Sequence, residues 1–191
     1  MQERPATRRY RKADFPVHEI RRYLEPGPVV LVSSAAGGRF NIMTMGWHTV
    51  MEFSPSLVGC VISSANHSHD MIRRSRQCVV NIPTADLAGT VVDIGNCSGS
   101  DVDKFERFGL TPVAGHAVDA PMIAECYASF ECVVADTRLV PRYDFFVLRV
   151  VKAHVARSPR YPATLHYRGE GVFMVSGRHL NLRRRFKTDR L

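Results

Sequence analysis

The sequence predicts a mainly β fold of the α+β type, a β-barrel trimmed with a few peripheral helices. Three observations carry this. About six stretches read as strands, and the helical stretches between them are short and scattered. Neither GxGxxG nor a Walker A motif occurs, so nothing supports a doubly wound nucleotide-binding sheet. The 191 residues are 45% hydrophobic and 23% charged, which suits a single globular domain needing no disulfide or structural metal.

Val17, Ile20 and Leu24 stand at helical spacing, and Pro26–Gly27 stops that helix. A β-branched strand follows from Pro28 to Ser34, with a turn at Gly37–Gly38. Asn41 to Val50 reads as the second strand of a hairpin. Ser56 to Ser64 is a continuous apolar run, hence a buried strand. His67 to Gln77 looks helical, with Ser68 as a plausible N-cap. Cys78 to Pro83 is a strand, and Thr84 to Gly95 a helix with Thr84 as cap. A helical turn is expected over Val102 to Phe108, started by Asp101 or Asp103. Long strands follow over Cys126 to Leu139 and Tyr143 to Arg157, and Thr164 to Val175 is a last strand or a loop.

The formal charge of +8 first suggests a polyanionic partner. Its distribution argues otherwise. Residues 1–12 carry +4 and residues 178–191 carry +5, which leaves −1 for the rest. The expected organisation is a basic N-terminal arm (1–16), one domain (17–177) and a basic C-terminal tail (178–191). Solvated termini are the plain reading, and arms that touch polyanions the sharper one. Without a helix-turn-helix or aromatic ribonucleoprotein pattern, nucleic acid is not the expected partner. The five cysteines form no CxxC, and neither a secretory pattern nor an 18-residue apolar run occurs. A cytoplasmic, membrane-free setting with buried, inert thiols is expected.

Three stretches carry chemistry. In Asn41–Trp47, Gly46 removes a side chain where a flat ligand could approach, and Met43 and Met45 share one strand face. A Gly bulge beside a core Trp is the plainer reading. In Ser63–Ser64–Ala65–Asn66–His67–Ser68, a buried strand ends in hydroxyls and an amide beside a helix start, an arrangement suited to a phosphate or simply to a cap. Arg73 and Arg74, one turn later, could add charge there, although Asp70 works against it. His67 and His69 could share a metal on a strand, but no third ligand stands at a supporting spacing, and no metal is expected. In Cys97–Ser98–Gly99–Ser100 a hydroxyl-rich turn precedes Lys104, again a phosphate contact or a capped turn.

In their order and spacing, PVVLVSS, NIMTMGW with FSPSLVGCVIS, CVVNIP, and SGSDVDKFERFGLTP with APMIAECYASFEC resemble the flavin reductase-like family of flavoredoxin type. The resemblance covers roughly residues 28–155. It implies a Greek-key FMN-binding split barrel, a homodimer and one noncovalent FMN per subunit near the dimer interface. It implies ring contacts at Thr44, Met45, Gly46 and Trp47, with Asn41 and Met43 in the same segment. Ser63, Ser64, Ala65, Asn66 and Ser68 would meet the ribityl chain and phosphate, and Ser98, Gly99 and Lys104 the phosphate. Tyr127, Tyr167 or Phe173 could cover the ring. The chain departs from the family at Ser100, where Arg is frequent, and at Ser54–Pro55–Ser56, where two prolines are frequent. The implied function is an NAD(P)H-dependent FMN reductase passing electrons to a small molecule or a partner oxygenase. An electron carrier without nicotinamide activity, and a polyanion-binding protein, are the alternatives. A haem-binding barrel would need an axial His such as His48 or His67. No catalytic side chain is implied, because the flavin carries the redox chemistry.

Overall fold

The computed structural model describes residues 8–187. Its strands are β1 (Lys12–Phe15), β2 (Val30–Ala36), β3 (Arg39–Met45), β4 (His48–Phe53), β5 (Ser56–Val61), β6 (Gln77–Ile82), β7 (Pro112–Val113), β8 (Met122–Ile123), β9 (Ala128–Asp136), β10 (Phe145–Ala156), β11 (Leu165–Gly169) and β12 (Val172–Val175). The α-helices are α1 (Arg21–Leu24), α2 (His67–Ser75), α3 (Ala88–Gly95), α4 (Lys104–Phe108) and α5 (Val140–Tyr143).

One antiparallel sheet runs β3-β2-β6-β9-β10-β5-β4, with β1 pairing β10 beside β5. Met45 of β3 and Val50 and Val58 of β4 and β5 belong to one core, although these strands lie at opposite ends of the sheet. The sheet therefore curls around that core, as a mainly β split barrel. Phe130, Phe146 and Leu148 fill it. A second apolar layer lies outside the barrel, where Leu31 and Ile42 pack against Val91 and Ile94 of α3 and Phe105 of α4. Strand β2 is covered on both faces, which is why its sequence is apolar almost throughout rather than alternating. Its hairpin with β3 turns at Gly37 and Gly38, whose φ of 57° and 75° suit a two-residue turn.

Several expectations change. The single strand over Asn41 to Val50 is two, because the chain leaves β2 at Gly46–Trp47 and pairs with β5 from His48 onward. Trp47 is no core residue: it is 74% exposed. The first helix is shorter than its spacing implied, a 3-10 turn at Val17–Glu19 followed by α1. Thr84 makes no side-chain cap. Asp103 does cap α4, accepting from the N–H groups of Phe105 and Glu106. The last segment is a hairpin, β11–β12, in a sheet of its own.

The expected solvated arm is also partly structured. Residues 12–15 form β1, and the Tyr10 N–H donates to the Ala124 carbonyl. The Lys12 ammonium reaches inward to the Ile123 carbonyl (2.6 Å) and Ser129 Oγ (2.8 Å). Ser129 in turn donates to Asn81, whose amide binds Leu31, Ser33, Val79 and Ile123 and so ties four segments together. Residues 178–187 are largely exposed, and 1–7 and 188–191 lie outside the described residues.

Burial lowers the Lys12 pKa from 10.5 to about 8, against the opposing pull of Cys126 and Glu125. Between these values the unfolded chain holds a proton that the native state has released. Lys12 therefore contributes stability that rises from pH 8 to 10.5 and is lost as pH falls through 8. Cys126, raised to about 12 by burial, acts in the opposite sense. The informative quantity is thus the difference between wild type and Lys12→Met in chemical denaturation across this window. It should grow with pH in favour of the wild type, and a pH-independent difference would contradict the assignment.

Candidate functional site

The sheet and its two cores bring three distant segments to one cleft. Its walls are Asn41 and Met43 of β3, residues 65–68 at the start of α2, the loop 95–99 after α3, and Lys104 at the start of α4. Its volume is about 210 Å³.

Helix α2 lies across β2 and sends Ile72 into the main core. This fixes its N-terminus beside Asn41. Ser68 is not the N-cap. It sits inside the first turn, buried, and its Oγ accepts from Asn41 Nδ2 at 2.8 Å. Asn66 holds the N-cap position without a side-chain cap hydrogen bond. The first-turn N–H groups of such a helix have no intrahelical acceptor, and they are the positive end of its dipole.

Across the cleft, Gly99 approaches Asn41 so closely that a Cβ on it would lie 2.0 Å from Asn41 Oδ1. That oxygen is buried and has no hydrogen-bond partner. Ser98, Ser100 and Asp101 bind one another. Position 100 thus contributes to a hydroxyl network that stiffens the turn. Lys104 is buried, and its ammonium donates to the Ile94 carbonyl at 2.9 Å, near the end of α3. Burial pushes its pKa down, partly offset by Cys97.

Of the expected site residues, Asn41, Met43, Ala65, Asn66, Ser68, Ser98, Gly99 and Lys104 meet at this cleft. Ser63 and Ser64 do not line it. The Ser63 Oγ accepts from Ala65 N–H, and the Ser64 N–H donates to Asp144. Met45, buried in the main core like Met43, does not line the cleft. Thr44 Oγ1 donates to the Val91 carbonyl. Gly46 and Trp47 form an exposed corner at the end of β3, with nothing within 4 Å of a Cβ built on Gly46. Strand β3 ends the sheet, which leaves one edge of its backbone without a strand neighbour.

Further expectations are corrected. Arg73 and Arg74 both pair with Asp70, and neither lines the cleft. Tyr127 is buried against Tyr23 and Tyr10, whereas Tyr167 is 56% exposed and packs on Phe173. His67 and His69 lie on a helix, where residues two apart do not face one another. His48 is engaged by the Pro28 carbonyl. Sequence reasoning missed His67, Gly95, Asn96 and Cys97 as lining residues; their flanking positions were the available signal.

A family model described as "Flavin reductase like domain" matches residues 21–174. The uncharacterized protein YddH of Escherichia coli is 30% identical over 178 residues, 86% of this chain and 94% of that protein. An uncharacterized protein of Archaeoglobus fulgidus is 36% identical over 110 residues, 58% of this chain but only 62% of its own length. The FMN reductase (NADH) RutF of Bradyrhizobium diazoefficiens is 26% identical over 122 residues, 64% of this chain and 65% of RutF. Among solved structures, an FMN-binding domain of a flavin reductases-like enzyme from Shewanella baltica superposes with a TM-score of 0.84 at 23% identity. It covers 91% of this chain and 98% of that one. Flavoredoxin of Desulfovibrio vulgaris has a TM-score of 0.75 at 20% identity, covering 95% and 96%. These likenesses agree with the curled sheet described above, and the family match spans most of it: the chain belongs to the flavin reductase-like family.

Proposed function

We propose that the protein binds FMN noncovalently and works as an NAD(P)H-dependent flavin reductase. The observation that carries this reading is the cleft itself. An anion cradle at the start of α2, a buried ammonium at Lys104 and an unpartnered buried acceptor at Asn41 meet in one place. These residues fit the phosphate and ribityl end of FMN. Helix α2 and Lys104 would hold the phosphate, and Asn41 Oδ1 would accept from a ribityl hydroxyl. The unpaired edge of β3 near Gly46 supports a place for the planar ring, held by backbone groups.

When bound, FMN supplies the hydride-accepting and electron-donating chemistry. The chain's residues bind, orient and shield it, and none is assigned as acid or base. Two copies would associate over the exposed corner, where Trp47, Met51 and Phe53 are apolar and open. A small molecule or a partner oxygenase would take the electrons. Among the described residues no helix is long and apolar enough to cross a membrane.

The test is the visible spectrum after reconstitution with FMN, followed by anaerobic mixing with NADH and NADPH. One FMN per chain and rapid bleaching by either nucleotide are expected. A protein that takes up no FMN overturns the reading. Retained FMN that neither nucleotide bleaches identifies an electron carrier instead.

A further inference from the structure

A second charged site is lined by other residues, around β1 and the end of β10. It is a groove of about 600 Å³ whose lining includes Arg8, Arg9, Tyr10, Arg11, Lys12 and Arg157. Its charge follows from strand register. Lys12 and Ala156 form the last pair of the antiparallel β1–β10 ladder, so Arg11 and Arg157 are the residues just beyond it, one on each segment, and both line the groove. Two like charges gathered at the end of a ladder repel, a cost that a bound anion would relieve. Arg8 adds a third guanidinium, 5.1 Å from the centre of the Tyr10 ring.

Local carboxylates do not neutralise these groups. Arg9 meets Glu125 at 3.3 Å, but Arg8, Arg11 and Arg157 have no acidic partner among the described residues. The Lys12 ammonium is turned inward to Ile123 and Ser129 and leaves the groove to the arginines. Guanidinium forks match phosphate oxygens in pairs, and three of them around one pocket suit several linked phosphates better than one. The volume is that of a small-ligand site.

We propose that this groove binds an oligophosphate, two or more linked phosphates, either free or as the chain of a nucleoside polyphosphate. The bound anion would bridge Arg11 and Arg157 and fasten β1 to β10. The site is separate from the flavin cleft, since no residue lines both.

The test is titration calorimetry of the full chain, saturated with FMN to block the other cleft, using tripolyphosphate, ATP and a single-stranded oligonucleotide at low and high salt. Tripolyphosphate should bind, with affinity falling as salt rises. Arg11→Gln/Arg157→Gln should bind it about tenfold or more weakly, while flavin absorbance stays unchanged and the melting temperature does not fall. Arg157→Gln alone, which leaves β1 intact, should lose part of the affinity. Tighter binding of ATP assigns a nucleoside polyphosphate, and equal binding assigns the phosphate chain alone. Unchanged affinity in the double variant overturns the proposal. So does binding of the oligonucleotide without binding of tripolyphosphate or ATP, which would mark a nucleic-acid surface.

Discussion

Lys104→Met should bind FMN about 10- to 100-fold more weakly than wild type, the loss of about 1.5–3 kcal/mol that a hydrogen bond to a charged group carries. Methionine keeps the length and apolar stem of lysine, so the packing beside Phe105 survives. What disappears is the buried ammonium between the Ile94 carbonyl and the cleft. If Lys104 served only to satisfy the last carbonyls of α3, the substitution would cost about 0.3–1 kcal/mol of stability and leave flavin affinity alone. Fluorescence titration of FMN, set beside thermal melting, separates the two. Gly99→Ala gives an independent reading. Its Cβ would fall 2.0 Å from Asn41 Oδ1 and 2.9 Å from Nδ2, so the Asn41 amide must swing away from Ser68. Weaker flavin binding is expected there too, together with a lower melting temperature, because the buried Asn41–Ser68 hydrogen bond is lost. Wild-type affinity in both variants would remove the phosphate from this cleft.

Glu131→Ala should be strongly destabilising, by about 3–5 kcal/mol, because it removes the acceptor shared by four donors, the buried Val118 N–H and His154 among them. Glu131 is fully buried in β9. Its Oε2 accepts from the backbone N–H groups of His116 (2.9 Å), Ala117 (2.6 Å) and Val118 (3.0 Å). Its Oε1 lies 2.6 Å from His154 Nε2. A loop is thus wrapped around one carboxylate, in the manner of an anion nest. Burial alone would raise the Glu131 pKa, yet the Ala117 N–H, His154 and the other two N–H groups together hold it below the ordinary value. A depressed native pKa means stabilisation that is present above the unfolded-chain value, about 4.3, and lost as pH falls below it. The gap in denaturation midpoint between wild type and Glu131→Ala should therefore be large at pH 7 and shrink on acidification. A small gap at pH 7, or one that does not change with pH, would show that the loop is held by other contacts.

Local signals in the sequence announced most of the barrel. The apolar run of β2, the paired glycines after it and the proline ending β6 each act over a few residues, and the corresponding elements lie where those residues stand. The cleft was legible for the same reason, since Ser68, Gly99 and Lys104 each stand next to a recognisable strand end or turn. Non-local pairing was not legible. Nothing in Cys78 or Cys132 announces that they sit directly opposite each other across β6 and β9. Nothing near Glu131 reveals that its partners are the backbone amides of the loop at residues 116–118. The direction of Met45 depended on the break at Gly46–Trp47, which became visible only when the strand changed partner. The basic N-terminal residues looked like solvated chain because composition reports charge and not hydrogen-bonding address.

That last point gives β1 a meaning beyond the arm it interrupts. Strand β5 covers one side of β10 only through residue 149, and β1 takes up the same side from residue 153. Without β1, the far third of the longest strand would offer a bare ladder of donors and acceptors, the template on which a foreign strand can add itself. Four residues from outside the barrel's continuous run of strands thus serve as its selvedge, the narrow border that keeps a woven cloth from fraying into its neighbour.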